Sequence, residues 1–409
     1  MNIALFSDSY LPTKSGIVTV VIQLKKILED LGHNVVIVTV GRDEFDFDEN
    51  SPDEKNVFRV KSILSPVGDG QYIGIPFKKE VVAFLKKHNI EIIHAHTEFF
   101  MGHMAIVAGK ELNVPVVAST HTMWEDYYRY YLHLGKMIPR RVIRKAVQLV
   151  YRKFYAFINV SKKAHDYFNK PFMLPHIPSA IIPNAIDGAK FARKECSEKE
   201  KSDLKLKLGI KENEKVVLYV GRMVEEKRLL ELYEIMKKVV SERNDVKIIF
   251  VGSGAMEKVL IKKCNTDSLS GKMLFTGFVD WNNLYIYYAI SDVFVTASLS
   301  EMHSMTVLEA LLAGKCVVCR KDSSFDDTVL DGVDGYSCES DEEMKDVLVK
   351  LLGNREEISR LSKNALEICK NFTLERHGKR TVAFYKAVLD SFPGKITGEQ
   401  LQNTVDEAD

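Results

Sequence analysis

Nowhere in the 409 residues does an apolar run approach the roughly 18 positions needed to span a bilayer, which excludes a transmembrane helix. The opening Met1-Asn-Ile-Ala-Leu-Phe6 has no basic flank and soon meets Asp8, so it does not read as a signal peptide, and a cytoplasmic location is expected. Cysteine is scarce, with six residues (Cys196, Cys264, Cys316, Cys319, Cys338 and Cys369) confined to the second half, a pattern that suits reduced thiols rather than a disulfide framework. Cys316-Val-Val-Cys319 spells CxxC, yet it has no second pair and sits in a β-branched run, so a buried strand is expected instead of a metal or redox site. Net charge is also nearly absent at +1, which gives no bulk pull toward nucleic acid or membrane.

The local charge is different. Residues 1–126 carry net −5 and residues 194–409 net −5, whereas 127–193 hold thirteen basic and two acidic side chains, net +11. What remains is ordinary for a folded protein: 46% apolar and 28% charged residues, in a chain long enough for two domains of roughly 200 residues each.

The hydrophobic pattern alternates between two periods. Ile3–Phe6 is a short apolar strand, Val18, Val21, Leu24, Ile27 and Leu28 follow at helical spacing, and Asn34–Val40 is a continuous apolar strand. Further strands are expected at Ile92-Ile93, Val114–Ala118 and, as the last of this half, Ala156–Val160, with a helix around Val82–Leu85. A charged stretch from Lys194 to Lys207 reads as a solvated linker leading into a helix, and then the alternation restarts at Val216–Val220, Leu229–Val240, Lys247–Val251, Val293–Val295 and Cys316–Val318. The fold class is therefore α/β with two parallel sheets, and ligands are expected at the carboxyl ends of their strands. From about Gly394 the periodicity fades and a mobile tail is expected.

Two motifs carry chemistry. Gly221-Arg222 follows a strand directly, with Lys227 five residues on, near a helix start, so two fixed cations and helix amides are available to an anion such as a diphosphate. Taken alone, the same residues also read as solvated surface charges. The second motif, Glu301-Met-His303-Ser304-Met305-Thr306, precedes an apolar helix that contains Glu309, expected about two turns in. Two carboxylates so spaced suit sugar hydroxyls at two points of one elongated ligand. Glu309 lies in an apolar turn, where burial would demand a partner.

Gly221-Arg222-x4-Lys227 followed by Glu301-x7-Glu309 resembles the donor site of the retaining GT-B glycosyltransferases of family 4. The likeness extends along nearly the whole chain through Asp8-Ser-Tyr-Leu-Pro12 with Gly16, His94-Ala-His96, His121, Ile182–Asp187, Val251-Gly-Ser-Gly254, Thr276-Gly277-Phe278 and Glu309–Gly314. The resemblance implies a GT-B fold of two Rossmann-like domains facing a central cleft: an acceptor and membrane-binding domain over 1–194, a donor domain over 195–372, a helix over 373–393 returning to the first domain, and the tail 394–409. It implies that Arg222 and Lys227 hold the donor diphosphate, Glu301 the hexose and Glu309 the ribose. Backbone of His303, Ser304, Met305 and Thr306 would touch sugar and phosphate, with Phe278 and Val279 at the base, Gly16 close to the phosphates and His121 beside the anomeric carbon. Retention by front-face attack is implied, the donor phosphate taking the acceptor's proton. Ser304 departs from the glycine usual there. Asp46-Phe-Asp48 spells DxD, but it lies in an acidic run read as a solvated loop, and neither a metal nor another cofactor is expected.

The basic segment points to the acceptor. Between Tyr127 and His165 no acidic residue occurs, while Arg129, Lys136, Arg140, Arg141, Arg144, Lys145, Arg152, Lys153, Lys162 and Lys163 interleave with Tyr127, Tyr128 and further aromatic and aliphatic residues, and Trp124 stands just before them. A basic, aromatic, amphipathic stretch is suited to an anionic membrane surface, and no nucleic-acid recognition motif is present. His121–Tyr130 is similar to the segment after the active-site histidine of bacterial diacylglycerol glucosyltransferases, which implies UDP-glucose as donor and a lipid acceptor. A soluble, polysaccharide or protein acceptor, and a sugar-binding scaffold without turnover, stand as alternatives.

Overall fold

A computed structural model describes the chain apart from residues 14, 42–53, 65–71, 76–77, 99, 132–136, 189–195 and 409; the Asp46-Phe-Asp48 motif and Lys136 lie outside the described residues. The chain divides into two compact units, Met1–Ala185 with Leu374–Asp409, and Ile186–Thr373.

The first unit is built on seven parallel strands in the order β3-β2-β1-β6-β7-β8-β9. These are β1 (Asn2–Ser7), β2 (Asn34–Val40), β3 (Val57–Val60), β6 (Ile92–Ala95), β7 (Val116–Thr120), β8 (Ala156–Asn159) and β9 (Ser179–Ile181). A separate antiparallel hairpin pairs β4 (Ser62–Leu64) with β5 (Tyr72–Gly74). Continuous burial of β1, β2, β6, β7 and β8 explains why these segments read as unbroken apolar runs: helices cover both faces of a parallel sheet. The helices are α1 (Gly16–Asp30), α2 (Lys78–Lys87), α3 (Phe100–Leu112), α4 (Trp124–Tyr131), α5 (Arg140–Tyr151) and α6 (Lys162–Phe168).

Two expectations need correction here. Ala156–Asn159 is not the last strand of this half, because β9 pairs beside it; β9 is only three residues long and lies between Pro178 and Pro183, too short to leave a periodic signal. Nor is the segment after Gly394 a loose tail. It forms a helix, Gly398–Asp406, opened by a capping box in which Thr397 and Gln400 satisfy each other's backbone amides. Leu401 and Val405 are fully buried and the Gln402 side chain accepts from the Ile181 amide at the β9 edge. Only two apolar side chains, one turn apart, face inward, which is too few to outweigh the polar composition read in sequence.

The second unit carries six parallel strands in the order β12-β11-β10-β13-β14-β15. They are β10 (Lys215–Val220), β11 (Val246–Val251), β12 (Met273–Phe275), β13 (Val293–Thr296), β14 (Cys316–Arg320) and β15 (Gly335–Cys338). Cys316 and Cys319 are buried in β14 with thiols pushed up by burial, Cys316 to about 12, as expected of strand residues. The helices are α7 (Glu198–Lys207), α8 (Leu229–Glu242), α9 (Glu257–Thr266), α10 (Tyr285–Ile290), α11 (Met305–Leu312), α12 (Asp341–Leu351) and α13 (Arg355–Cys369). The chain passes to this unit earlier than the charged stretch suggested, since the Ile186 amide donates to Phe372 O at 2.9 Å and Ile186 bridges to Thr373. From Leu374 the chain rejoins the first unit as α14 (Leu374–Ser391) and α15 (Gly398–Asp406), with Phe384, Tyr385 and Val388 buried in the same core as Ile3, Leu24 and Val35.

In the second sheet the order 3-2-1-4-5-6 reverses direction between β10 and β13. Connections from these two strands leave on opposite sides, opening a crevice beyond their carboxyl ends. Leu401→Ala tests the C-terminal helix: urea unfolding is expected to show a loss of about 2–4 kcal/mol, as for a buried leucine, and an unchanged midpoint would mean α15 contributes no packing.

Candidate active site

The two sequence motifs leave the sheet at that crevice, one from β10 and one from β13. Gly221 donates to Val251 O at 3.0 Å, Met223 N to Ser253 O at 2.8 Å, and Met256 N back to Met223 O at 2.8 Å, so the loops after β10 and β11 are laced together by backbone bonds. Gly252, at φ +132°, has no room for a Cβ, which would run into the Gly221 carbonyl oxygen. Gly252 N in turn donates to Gly277 O at 2.9 Å, fixing the loop after β12 that presents Phe278, exposed, and Val279, partly buried.

On this base the charged groups form a row. Arg222 Nη2 lies 3.0 Å from Glu226 Oε1, Lys227 Nζ lies 3.9 Å from the same oxygen, and Lys227 Nζ reaches Glu301 Oε1 at 2.6 Å. Arg222, Lys227 and Glu301 are thus brought together as the sequence implied. Glu226 was missed. Its side chain is only 1% exposed, against 56% for Arg222, and it anchors both cations from beneath. Its position four residues after Arg222 was the available signal. The turn that carries it, a single 3-10 turn at Glu225–Lys227, is held at both ends. Ser300 Oγ donates to Glu226 O at 3.1 Å, and Arg228, in the left-handed conformation at φ 53°, donates to Ala297 O at 3.3 Å and pairs with Asp341 at 3.1 Å.

Glu309 does not touch this row. It is buried one turn into α11, not two, because residues 301–304 are a loop and the helix starts at Met305. Its carboxylate accepts from Trp281 Nε1 at 3.0 Å and from Tyr288 OH at 2.9 Å. Burial pushes its acid up to about 7 despite those two donors, and two acceptor positions remain on the oxygens. His303 and Ser304 are buried, Met305 and Thr306 are partly buried, and the His303 ring packs 5.5 Å from Phe372. Ser304 is the N-cap of α11 with φ −78° and ψ 115°, an extended conformation open to any residue, so the departure from glycine strains nothing; its hydroxyl meets Thr306 Oγ1 at 3.2 Å and leaves the first helix amides uncapped by a side chain.

In the first unit Gly16 begins α1 in an exposed position beside the Ser15 cap. His121 follows β7, half-buried, with its Nε2 3.2 Å from His96 Nδ1 and the two rings stacked at 5.4 Å. Burial lowers its imidazole to about 4, with His377 adding repulsion, so it is neutral at physiological pH. Among the described residues, no group of three or more His, Cys, Asp or Glu side chains is disposed to hold a metal ion.

The basic segment splits into two faces. Arg140, Arg141, Lys145, Arg152 and Lys153 are exposed, beside exposed Met137, Val142 and Leu149, and no helix among the described residues is long and apolar enough to cross a membrane. Trp124 and Tyr127 are half-buried. Two residues expected at the membrane are committed elsewhere. Tyr128 is fully buried, its hydroxyl donating to Ile138 O at 2.8 Å, and Arg144 pairs with Glu125 through two bonds of 2.5 and 3.0 Å while lying 4.3 Å above Phe172. Tyr151 and Phe154 likewise join a core of aromatic rings with Phe157 and Phe168. A linear count of aromatics could not separate the inward face of α5 from the outward one.

Comparison with known proteins agrees with this architecture. Residues 200–368 match the family model "Glycosyl transferases group 1" and residues 14–190 match "Glycosyltransferase Family 4". The chain is 31% identical over 404 residues to an alpha-monoglucosyldiacylglycerol synthase of Acholeplasma laidlawii, covering 97% of this chain and 99% of that protein. It is 28% identical over 388 residues to the synthase of the same name from Streptococcus pneumoniae, covering 94% and 85%. Among solved structures, sucrose-phosphate synthase from Thermosynechococcus elongatus superposes with a TM-score of 0.76 at 20% identity, over 95% of this chain and 99% of that one, a likeness of fold and specifically of the two-sheet GT-B type.

The raised acid of Glu309 has a measurable consequence. The folded state binds this proton up to about pH 7 and the unfolded chain only up to about 4.5, so stability falls as pH rises through that window. Glu309→Gln should flatten this slope, gaining roughly 3 kcal/mol at pH 8 relative to its difference at pH 4. Parallel pH profiles from urea unfolding would overturn the assignment.

Proposed function

The chain belongs to glycosyltransferase family 4 and is a retaining, nucleotide-sugar-dependent transferase of GT-B fold, and from that premise we propose that it moves glucose from UDP-glucose to a lipid acceptor, diacylglycerol, at the membrane surface. The observation that carries the donor half is the 2.6 Å pair between Lys227 and Glu301, which joins two motifs 74 residues apart. In the row Arg222, Glu226, Lys227 and Glu301, two cations are matched by two carboxylates. A donor brings a diphosphate for the cations and hexose hydroxyls for Glu301, so each half of the Lys227–Glu301 pair exchanges its partner for a complementary one. Glu226, buried beneath, keeps its position.

As the glycosidic bond breaks, negative charge grows on the departing diphosphate. Arg222, Lys227 and the uncapped amides at the start of α11 are placed to stabilise that charge, and this is where fixed dipoles and cations lower a barrier most. The acceptor hydroxyl attacks from the same face and gives its proton to the leaving phosphate, which needs no protein carboxylate as nucleophile or base. Glu309 takes ribose hydroxyls on its remaining acceptor positions, the loop at Phe278 and Val279 meets the base, and His121 is read as a hydrogen-bonding group for the sugar. The charge supplied by Arg222 and Lys227 takes the part a metal ion has in other transferases, so turnover is metal-independent.

The acceptor half rests on α5. Five exposed cations beside exposed Met137, Val142 and Leu149 form a surface suited to anionic lipid, at about 1 kcal/mol for each cation near the headgroups. The names of the two relatives, both glucosyldiacylglycerol synthases, support the same acceptor.

Two measurements test the proposal. Lys227→Ala should lower kcat for glucosyl transfer about 10²–10³-fold, the loss seen when one electrostatic donor to a developing anion is removed, with UDP binding weakened in calorimetry; unaltered turnover would remove Lys227 from the mechanism. Flotation with vesicles containing phosphatidylglycerol should capture the enzyme at low salt. Arg140→Glu, Arg141→Glu and Lys145→Glu combined should cut that partition about a hundredfold or more, and equal flotation of the triple variant would direct the search to a soluble acceptor.

A further inference from the structure

Behind His121, inside the first unit, lies a small cavity of about 10 Å³ that neither the donor row nor the membrane face uses. Its walls include His94, His96, Ser119, His121, Asn184, His377 and Thr381. Such a density of polar groups in a buried space is costly unless each is hydrogen-bonded. Several are. His94 Nδ1 meets Tyr385 OH at 2.6 Å, His94 Nε2 meets Ser119 Oγ at 2.8 Å, and His377 Nδ1 donates to Pro183 O at 2.7 Å. Three are not: His96 Nε2, Asn184 Oδ1 and Thr381 Oγ1 are each sequestered from solvent without a protein partner, on side chains 1%, 5% and 1% exposed.

All three border the same cavity, and its volume is about that of one water molecule. We propose that a single structural water occupies it and, through His96, sets the tautomer of His121 with the ring proton on Nδ1. The direction follows from counting donors. The water gives one hydrogen to Asn184 Oδ1 and one to His96 Nε2, and it accepts the Thr381 hydroxyl proton. His96 then bears its own proton on Nδ1 and donates it across the 3.2 Å contact to His121 Nε2. His121 Nε2 is thereby an acceptor, and neutrality leaves its single proton on Nδ1. The reverse order, with His96 Nε2–H donating to the water, leaves one hydrogen, either the water's or that of the Thr381 hydroxyl, with no acceptor among these atoms, the more costly kind of unsatisfied group. His377 does not compete, because its Nδ1 proton is used on Pro183 and its Nε2 is not among the sequestered atoms.

The helix that supplies this wall is built for it. His377, Thr381 and Tyr385 recur every fourth residue on α14, one face of a helix, where an ordinary buried face would be aliphatic. Thr381 and His96 are therefore positioning residues for His121: they touch no substrate and act through its ring. A fixed Nδ1–H makes His121 a hydrogen-bond donor to a sugar oxygen and not a base, which agrees with a retaining reaction whose proton leaves on phosphate. This role rests on the reading of His121 given above.

The test is imidazole ¹⁵N NMR on the full-length enzyme labelled at histidine, with His121 assigned by comparison with His121→Gln. A protonated Nδ1 and an unprotonated Nε2 are expected. Thr381→Val keeps the side-chain shape but removes one of the water's three partners, so the water is lost and with it the bias on His96; it should give a mixture of His121 tautomers and lower kcat about tenfold at unchanged donor KM, the mark of an interaction felt in the transition state. Thr381→Ser should restore both. A wild-type His121 carrying its proton on Nε2 overturns the proposal, as does a Thr381→Val enzyme with wild-type tautomer. UDP binding, which Thr381 does not reach, reports separately on the donor site: its absence beside an Nδ1–H tautomer would sink the functional reading and leave the water relay standing.

Discussion

The organisation of the second unit depends on the pair between Lys227 and Glu301. At 2.6 Å and with both side chains largely shielded, it fastens the turn after β10 to the loop after β13. Those loops can meet only because β10 and β13 are neighbours in a sheet whose strand order reverses between them. Partial burial strengthens the Coulomb attraction and also makes an unmatched charge costly, so two neighbouring cations call for two carboxylates. Glu226 supplies the second. It is the more deeply buried of the two.

The two units use the same architecture for opposite electrostatic ends. In the second, ion pairs are assembled at the strand ends. In the first, histidines are assembled at the ends of β6 and β7 and kept neutral: burial lowers His94 and His96 well below the ordinary imidazole value and takes His121 and His377 to about 4. The return of α14 to the first unit closes the neutral region, since Thr381 and Tyr385 come from nearly 300 residues away to meet His94 and His96.

In the basic segment the helical period decides which side chains stay at the surface. On α5, Val147 and Tyr151 point into the core, Arg144 is held by Glu125, and the remaining cations with Val142 and Leu149 stay outward. Part of the +11 charge of the segment is therefore matched within the protein, by Glu125.

The alternation of apolar strands and amphipathic helices, hence two parallel α/β units, was legible along the chain, because a strand buried on both faces carries its signal in its own residues. The sequence also marked Arg222, Lys227, Glu301 and Glu309 by residue type and spacing as candidates for phosphate and hydroxyl recognition. Only the tertiary structure decided which of them touch. It put Glu226 beneath the cations, bonded Glu309 to Trp281 and Tyr288, took Tyr128 and Arg144 out of the membrane-facing set, and turned an expected tail into a helix against β9. The physical reason is common to all four. Burial and hydrogen-bond partnership depend on what approaches from distant parts of the chain, and a linear pattern records the preference of a residue but not its neighbour.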